Sequence, residues 1–259
     1  MPEGKPGRAI AMTKFSVNLN KFALLRNSRG ANNPDVLAIA RRAIAAGVHG
    51  ITVHPRPDQR HARYQDVVDL RALVAEHPAV ELNVEGNPIE EFLRVVLETS
   101  PHQATLVPDA PGQLTSDHGW DAIAESSRLR GLVARLHAAG IRVSLFLDPD
   151  PAQVDAAAST GADRIELYTE PYAAAFGTPR QAEELARFAA AATRAEERGL
   201  GVNAGHDLSL ANLGAFLAAV PNVLEVSIGH AVVCESFDHG FEGTLARYLA
   251  IPGVAPRVR

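Results

Sequence analysis

From Phe15 onward the chain switches repeatedly between two patterns of apolar positions. Short stretches rich in β-branched and aromatic residues alternate with longer ones whose apolar positions recur at helical spacing. The short stretches predict strands at Phe15–Asn20, Gly50–His54, Val80–Glu85, Gln103–Val107, Ile141–Leu147, Asp163–Tyr168, Gly201–Gly205 and Val223–Ile228. The longer ones predict helices at Pro34–Ala46, Tyr64–Glu76, Pro88–Thr99, Ala122–Ala139, Pro151–Thr160, Pro179–Arg198, Ser209–Ala219 and near Gly240–Ala250. Gly47, Gly140, Gly161 and Gly199 each follow a helical run, where a left-handed residue ends the helix. Pro34, Pro88, Pro151 and Pro179 stand near helix starts, where a missing N–H costs little. Strict alternation implies parallel strands with right-handed crossovers. Eight such units in about 235 residues predict an α/β fold, a closed (β/α)8 TIM barrel. A doubly wound open sheet is the alternative, and it lacks the Gly-x-Gly-x-x-Gly turn after the first strand. Residues 1–259 are read as a single barrel domain, with 1–13 as a flexible N-terminal extension.

Within the strands, side chains alternate between two faces. Val80, Leu82 and Val84 oppose Glu81, Asn83 and Glu85; Leu224, Val226 and Ile228 oppose Glu225 and Ser227. Parallel strands buried on both faces normally read as continuous apolar runs, whereas here one face is polar almost throughout. The apolar face belongs against the helices, so the polar face must fill the barrel. This predicts a polar, ion-paired interior with Arg142 and Arg164 facing Glu81, Glu166 and Glu225, because an unpaired buried charge is costly.

Composition narrows the function. A net charge of −5 argues against a nucleic-acid partner held by bulk charge. No run approaches about 18 apolar residues, which predicts no membrane span, and the N-terminus has no signal-peptide pattern. A single cysteine, Cys234, suits a reducing, cytoplasmic setting. Lysine occurs only at positions 5, 14 and 21, which leaves Lys21 as a candidate cation near the first strand exit.

Chemistry gathers where strands end. Asn18 and Asn20 leave strand one facing inward, followed by Lys21; His54 leaves strand two; Glu85 ends strand three; Asp148 follows strand five; Gly205-His206-Asp207 and Gly229-His230 leave strands seven and eight. In a barrel these converge on one mouth. The richest stretch is Gly50–His61, with His54, Arg56, Arg60 and His61 in a proline-stiffened turn. His54 there suits proton transfer, although an inward histidine can simply be a satisfied core residue. Glu81 fits a structural ion pair, and Glu85, nearer the mouth, a base. Arg56, Arg60 and Arg63 are either a solvated face or a phosphate grip that Arg29 joins. Gly205 and Gly229 allow close backbone approach to a ligand, although a tight turn alone explains either. The polar stretch Pro108–His118 is a candidate lid. No His-x-His or His-Glu-x-x-His spacing is present, so no metal site is expected.

Val17-Asn18-Leu19-Asn20, Leu25–Gly30, Gly50–Arg56, Arg60-His61, Val202–His206 and Ile228–Ala231, in this order, strongly resemble the pyridoxine 5′-phosphate synthase family. The resemblance runs from about Phe15 to Leu249. It implies condensation of 1-deoxy-D-xylulose 5-phosphate with 3-amino-2-oxopropyl phosphate. It further implies a barrel with extra helices, an octamer built from dimers, and no metal or organic cofactor. By position it makes His54 and Glu85 proton acceptors and His206 a proton donor. Asn18, Arg29, Gly229 and His230 would contact the amino-ketone phosphate. Arg56, Arg60 and Thr115 would contact the deoxyxylulose phosphate. Two departures stand out: Asn20-Lys21 where many members carry Asp-His, and Asp207 where many carry Gly. Lys21 would then bind a substrate oxygen or phosphate, or form an imine; Asp207 would repel a phosphate unless it turns away or orients His206. The other readings are a different phosphosugar barrel, aldolase-like through Lys21, and a non-catalytic sensor of phosphorylated ligands.

Overall fold

The computed structural model describes residues 12–109, 113 and 115–258. Its strands are β1 (Lys14–Asn18), β2 (Gly50–Val53), β3 (Glu81–Gly86), β4 (Gln103–Leu106), β5 (Arg142–Leu147), β6 (Arg164–Tyr168), β7 (Gly201–Gly205) and β8 (Val223–Ile228). All pair in parallel in chain order, and β8 closes back onto β1 with Lys14 opposite Glu225. The closed eight-stranded barrel expected from the alternation is therefore the fold.

The helices are α1 (Asn20–Asn27), α2 (Val36–Ala46), α3 (Tyr64–Ala75), α4 (Glu90–Thr99), α5 (Ser126–His137), α6 (Pro151–Ser159), α7 (Glu170–Ala175), α8 (Gln181–Glu197), α9 (Leu213–Ala219), α10 (His230–His239) and α11 (Phe241–Leu249). Three of these were not predicted. α1 and α7 are short, and α10 is weakly helical by propensity, with paired valines and polar residues among its ten positions. β1 also ends two residues earlier than expected. The Asn18 side chain accepts from the backbone N–H of Asn20 at 3.0 Å, so the chain turns into α1 instead of extending to Asn20.

Of the expected flexible extension, residues 1–11 lie outside the described residues. Thr13 is buried: its N–H donates to Gly253 O and its hydroxyl to Val223 O, both at 2.8 Å. The outward strand residues, among them Phe15, Val17, Ile51, Leu82, Val84, Ile165 and Val226, form one apolar layer beneath the helices. Val226 and Val84 are fully enclosed there, as the alternating pattern requires.

The interior is polar, and its pairing differs in one place from expectation. At the N-terminal end of the strands Glu81 accepts from Lys14 at 2.6 Å and from Arg142 at 2.5 Å. Arg164 lies 3.4 Å from Glu225 and donates to the Asn203 side chain at 3.0 Å. Above them lies an uncharged girdle, in which Ser16 and Thr52 share a hydrogen bond and Thr105 donates to Asn83. Glu166, expected to meet an arginine, does not. It is buried one step nearer the mouth than Arg164, beyond the arginines' pairing, and its Oε2 has no hydrogen-bond partner.

Candidate active site

The mouth is assembled from residues that leave consecutive strands on the inward face. Asn18, last in β1, donates to Glu85 Oε2 at 3.4 Å, and Asn83 approaches Glu85 Oε1 at 3.5 Å. Glu85 is buried, and burial pushes its carboxyl well above the usual range. Glu166, Glu225 and Asp109 push the same way, and the Asn18 bond offsets only part of it. Glu166 is raised to about 8, by burial and then by Glu225. Two buried acids thus face one another across the interior with their protons held toward neutral pH, which suits general acid–base exchange.

His54 follows β2 and is buried. The Asn20 side chain accepts from its backbone N–H at 2.8 Å, so the first residue of α1 holds the β2 exit in place. Burial holds the His54 imidazole well below its ordinary range, with Arg56, His61 and Arg60 adding to the effect. His61 is likewise pushed down to about 4, by burial and then by Arg56 and Arg60. Both rings are neutral at pH 7 and able to accept a proton.

The two arginines of this turn reach across to the segment after β4. Arg56 pairs with buried Asp109, and its other terminal nitrogen donates to Gln113 O at 2.9 Å. Arg60 donates to the same carbonyl at 2.6 Å. Ser116 donates to Asp109 at 2.9 Å, and His54 Nε2 lies 3.9 Å from the same carboxylate oxygen. The candidate lid Pro108–His118 is therefore latched onto the β2 turn at Asp109 and Gln113, with Ser116 bracing Asp109 from within the segment; positions 110–112 and 114 of it lie outside the described residues. Arg63 instead points to Asn27 on the exposed flank.

On the opposite side, His206 sits between two partners. Its Nδ1 is 2.9 Å from Asp207 and its Nε2 is 3.0 Å from the Thr115 hydroxyl. At Gly205 a Cβ would run into the Glu166 carboxylate and force that side chain to move. Gly229 is more constrained: a Cβ would come within 2.9 Å of the Asn18 carbonyl, which is backbone. His230 opens α10, whose first-turn N–H groups receive no side-chain cap, an arrangement suited to an anion. Lys21 is exposed near enough to Asp207 and His61 to act on both. Arg29 is exposed in the turn after α1, where its backbone N–H donates to Arg26 O at 3.5 Å. No group of three or more His, Cys, Asp or Glu among the described residues is arranged to hold a metal ion.

Residues 15–252 match the family described as pyridoxal phosphate biosynthesis protein PdxJ. The chain belongs to this family. A pyridoxine 5′-phosphate synthase from Albidiferax ferrireducens is 54% identical over 242 residues, covering 92% of this chain and 96% of the relative. One from Xanthomonas oryzae pv. oryzae is 56% identical over 246 residues, with the same coverage. Among solved structures, 3-keto-L-gulonate-6-phosphate decarboxylase from Vibrio cholerae superposes with a TM-score of 0.63 at 13% identity, covering 96% of this chain and 100% of that one. That likeness concerns the barrel alone.

In this PdxJ-family barrel, sequence reading missed two buried acids at the mouth. Asp109 stands third after β4, and tallying that strand's exit residues like the others would have found it. Glu166 was assigned to the ion pairs; its inward parity was evident, but its height above the arginines was not.

Proposed function

We propose that the protein is a pyridoxine 5′-phosphate synthase. It joins 1-deoxy-D-xylulose 5-phosphate to 3-amino-2-oxopropyl phosphate and closes the pyridine ring, releasing pyridoxine 5′-phosphate, inorganic phosphate and water. The observation that carries this is family membership across nearly the whole barrel, with relatives of that name above half identity.

The site chemistry agrees. Ring closure joins an amine to a ketone, loses water and phosphate, and forms a carbon–carbon bond, so several protons move between neighbouring atoms. His54 and Glu85 serve as proton acceptors: one a neutral imidazole, the other a carboxyl whose affinity for protons is raised by burial. His206 serves as proton donor. Arg56, Arg60 and Thr115 hold the deoxyxylulose phosphate, which displaces the latch at Gln113 and Asp109. Asn18, Arg29, Gly229 and His230 hold the amino-ketone phosphate, against the open N-terminus of α10. Asn20 holds the His54 backbone and Lys21 supplies a cation to a substrate oxygen, so Asn20-Lys21 marks a subgroup that keeps the activity. Lys21 is exposed, which favours binding over imine chemistry, since imine-forming lysines are usually desolvated. The working form is a cytoplasmic octamer built from dimers.

The direct test mixes purified protein with both substrates and follows pyridoxine 5′-phosphate by mass and absorbance. Product that disappears in His54→Ala supports the reading. Absence of product from folded protein would overturn it.

A further inference from the structure

Asp207 adjoins the site without a part in the chemistry above, and the backbone there is unusual. His206 and Asp207 are consecutive non-glycine residues at φ of 85° and 59°, a conformation that L-residues seldom adopt even singly. The surroundings hold it. The Thr169 hydroxyl donates to Gly205 O at 2.8 Å and also bonds His206 O; Asn212 Nδ2 donates to Asp207 O at 3.1 Å. Asn212 is itself fixed by the Ser209 N–H at 2.8 Å. Strain maintained by its neighbours is a mark of a functional position.

What the strained turn accomplishes is specific. It brings the Asp207 carboxylate to 2.9 Å from Nδ1 of the preceding residue's ring. The His206 bond, against burial, holds Asp207 below its ordinary range, with His230 and Lys21 assisting, so it is ionised and can only accept. The hydrogen between them therefore belongs to Nδ1. Tyr168 packs edge-on against the ring at 5.1 Å. Nε2 is left facing the Thr115 hydroxyl across the mouth.

We propose that Asp207 is a positioning residue: it keeps the hydrogen of His206 on Nδ1, so that Nε2 is the working nitrogen and the Thr115 hydroxyl marks where a substrate oxygen is received. This rests on the synthase reading and adds a constraint to it. With Nδ1 already bearing a hydrogen, His206 can donate from Nε2 only after Nε2 has taken a proton. The proton it accepts from one substrate group is the one it later delivers to a departing oxygen, and the Asp207 carboxylate balances the imidazolium in between. No proton is consumed over the cycle.

The experiment is long-range proton–nitrogen NMR of the histidine rings in full-length labelled protein, with His206→Gln identifying the signal. Wild type is expected to show a protonated Nδ1 and a bare Nε2 when the ring is neutral. Asp207→Gly removes the carboxylate and suits the left-handed backbone, so it folds; thermal unfolding checks this. Its ring is expected to shift toward the Nε2–H form, with kcat falling about tenfold to a hundredfold and both KM values changing less than about threefold. Asp207→Asn keeps a carbonyl acceptor for Nδ1–H and is expected to restore the tautomer and most of kcat. If Asp207→Gly leaves tautomer and kcat unchanged, or wild type carries its hydrogen on Nε2, the proposal fails. A wild type with the expected tautomer but no pyridoxine 5′-phosphate would overturn the synthase reading and leave the pairing supported.

Discussion

The two ends of the barrel interior are built from the same residue types and handle them in opposite ways. At the N-terminal end Glu81 lies between Lys14 and Arg142, and their bonds overcome burial to hold its carboxyl at about 2. Arg164 and Glu225 face each other beside it. At the mouth, titratable groups meet neighbours of like sign: His54 sits with Arg56, His61 and Arg60, and Glu85 with Glu166, Glu225 and Asp109. Paired charges at one end tie neighbouring strands together: Glu81 stays ionised, while burial raises the Glu225 carboxyl against the pull of Arg164. Clustered groups at the other end have proton affinities moved off their ordinary values, the carboxyls of Glu85 and Glu166 upward and the imidazoles of His54 and His61 downward, as titratable groups at functional sites often are. The uncharged girdle of Ser16, Thr52, Asn83 and Thr105 separates the two regimes.

The largest effect that would break this contrast is at Glu85. Glu85→Gln keeps the shape and removes the proposed base, and kcat is expected to fall about 10³-fold, within the usual range for a general base. Denaturant unfolding should show equal or greater stability, because the buried carboxyl is disfavoured where it stands. Wild-type turnover in this variant would remove Glu85 from the chemistry.

Arg164→Met makes the reciprocal test at the other end. It strands the Glu225 carboxylate in a buried setting and should cost about 3 kcal/mol of stability, read from the urea midpoint. With both substrates saturating, kcat should stay within about twofold, because the lost charge lies below the girdle. A large loss of turnover with little loss of stability would mean the two ends are electrostatically one site.

Glu166 lies between the regimes and tests their boundary through pH. Its folded pKa of about 8 exceeds the ordinary 4.5, so the folded state binds the proton more tightly. The stability this proton provides is complete below 4.5 and is lost as pH rises through about 8. Glu166→Gln has no proton to lose. If it matches wild type near pH 5, it should exceed it by roughly 4 kcal/mol at pH 9. Equal pH–stability curves would mean that Glu166 has found a cation after all.

Much of this architecture was legible because its signals are local. Each strand announces itself by β-branched residues, and most helices by helical spacing with an end glycine or opening proline, so eight units and their order follow from neighbours in sequence. Inward parity likewise identified Asn18, His54 and Glu85. What parity cannot supply is height. Whether Glu166 meets Arg142, Arg164 or neither depends on the stagger of the closed barrel, which emerges only when β8 pairs with β1. The end of β1 failed for a different reason: Asn20 has the right parity, but the Asn18 side chain captures its N–H and starts a helix. Asp109 is polar on a polar loop, and nothing local says that it will be buried against Arg56.

The smallest expected effect sharpens the comparison at its rim. Arg60 is half-buried, shares the Gln113 carbonyl with Arg56, and lies 3.5 Å from Asp58 on its own turn. If its work is to grip a phosphate, Arg60→Ala should raise KM for 1-deoxy-D-xylulose 5-phosphate about tenfold, equivalent to about 1.4 kcal/mol. The KM for the amino ketone, kcat and the unfolding midpoint should barely move. Arg56→Ala should weaken the same substrate more and also lower stability, since it leaves Asp109 buried without its guanidinium. Added salt should narrow the gap between Arg60→Ala and wild type, because a half-buried charge is partly screened, while leaving most of the Arg56→Ala defect. A rise confined to the amino-ketone KM would exchange the two phosphate grips, and the latch on Gln113 would then belong to the other substrate.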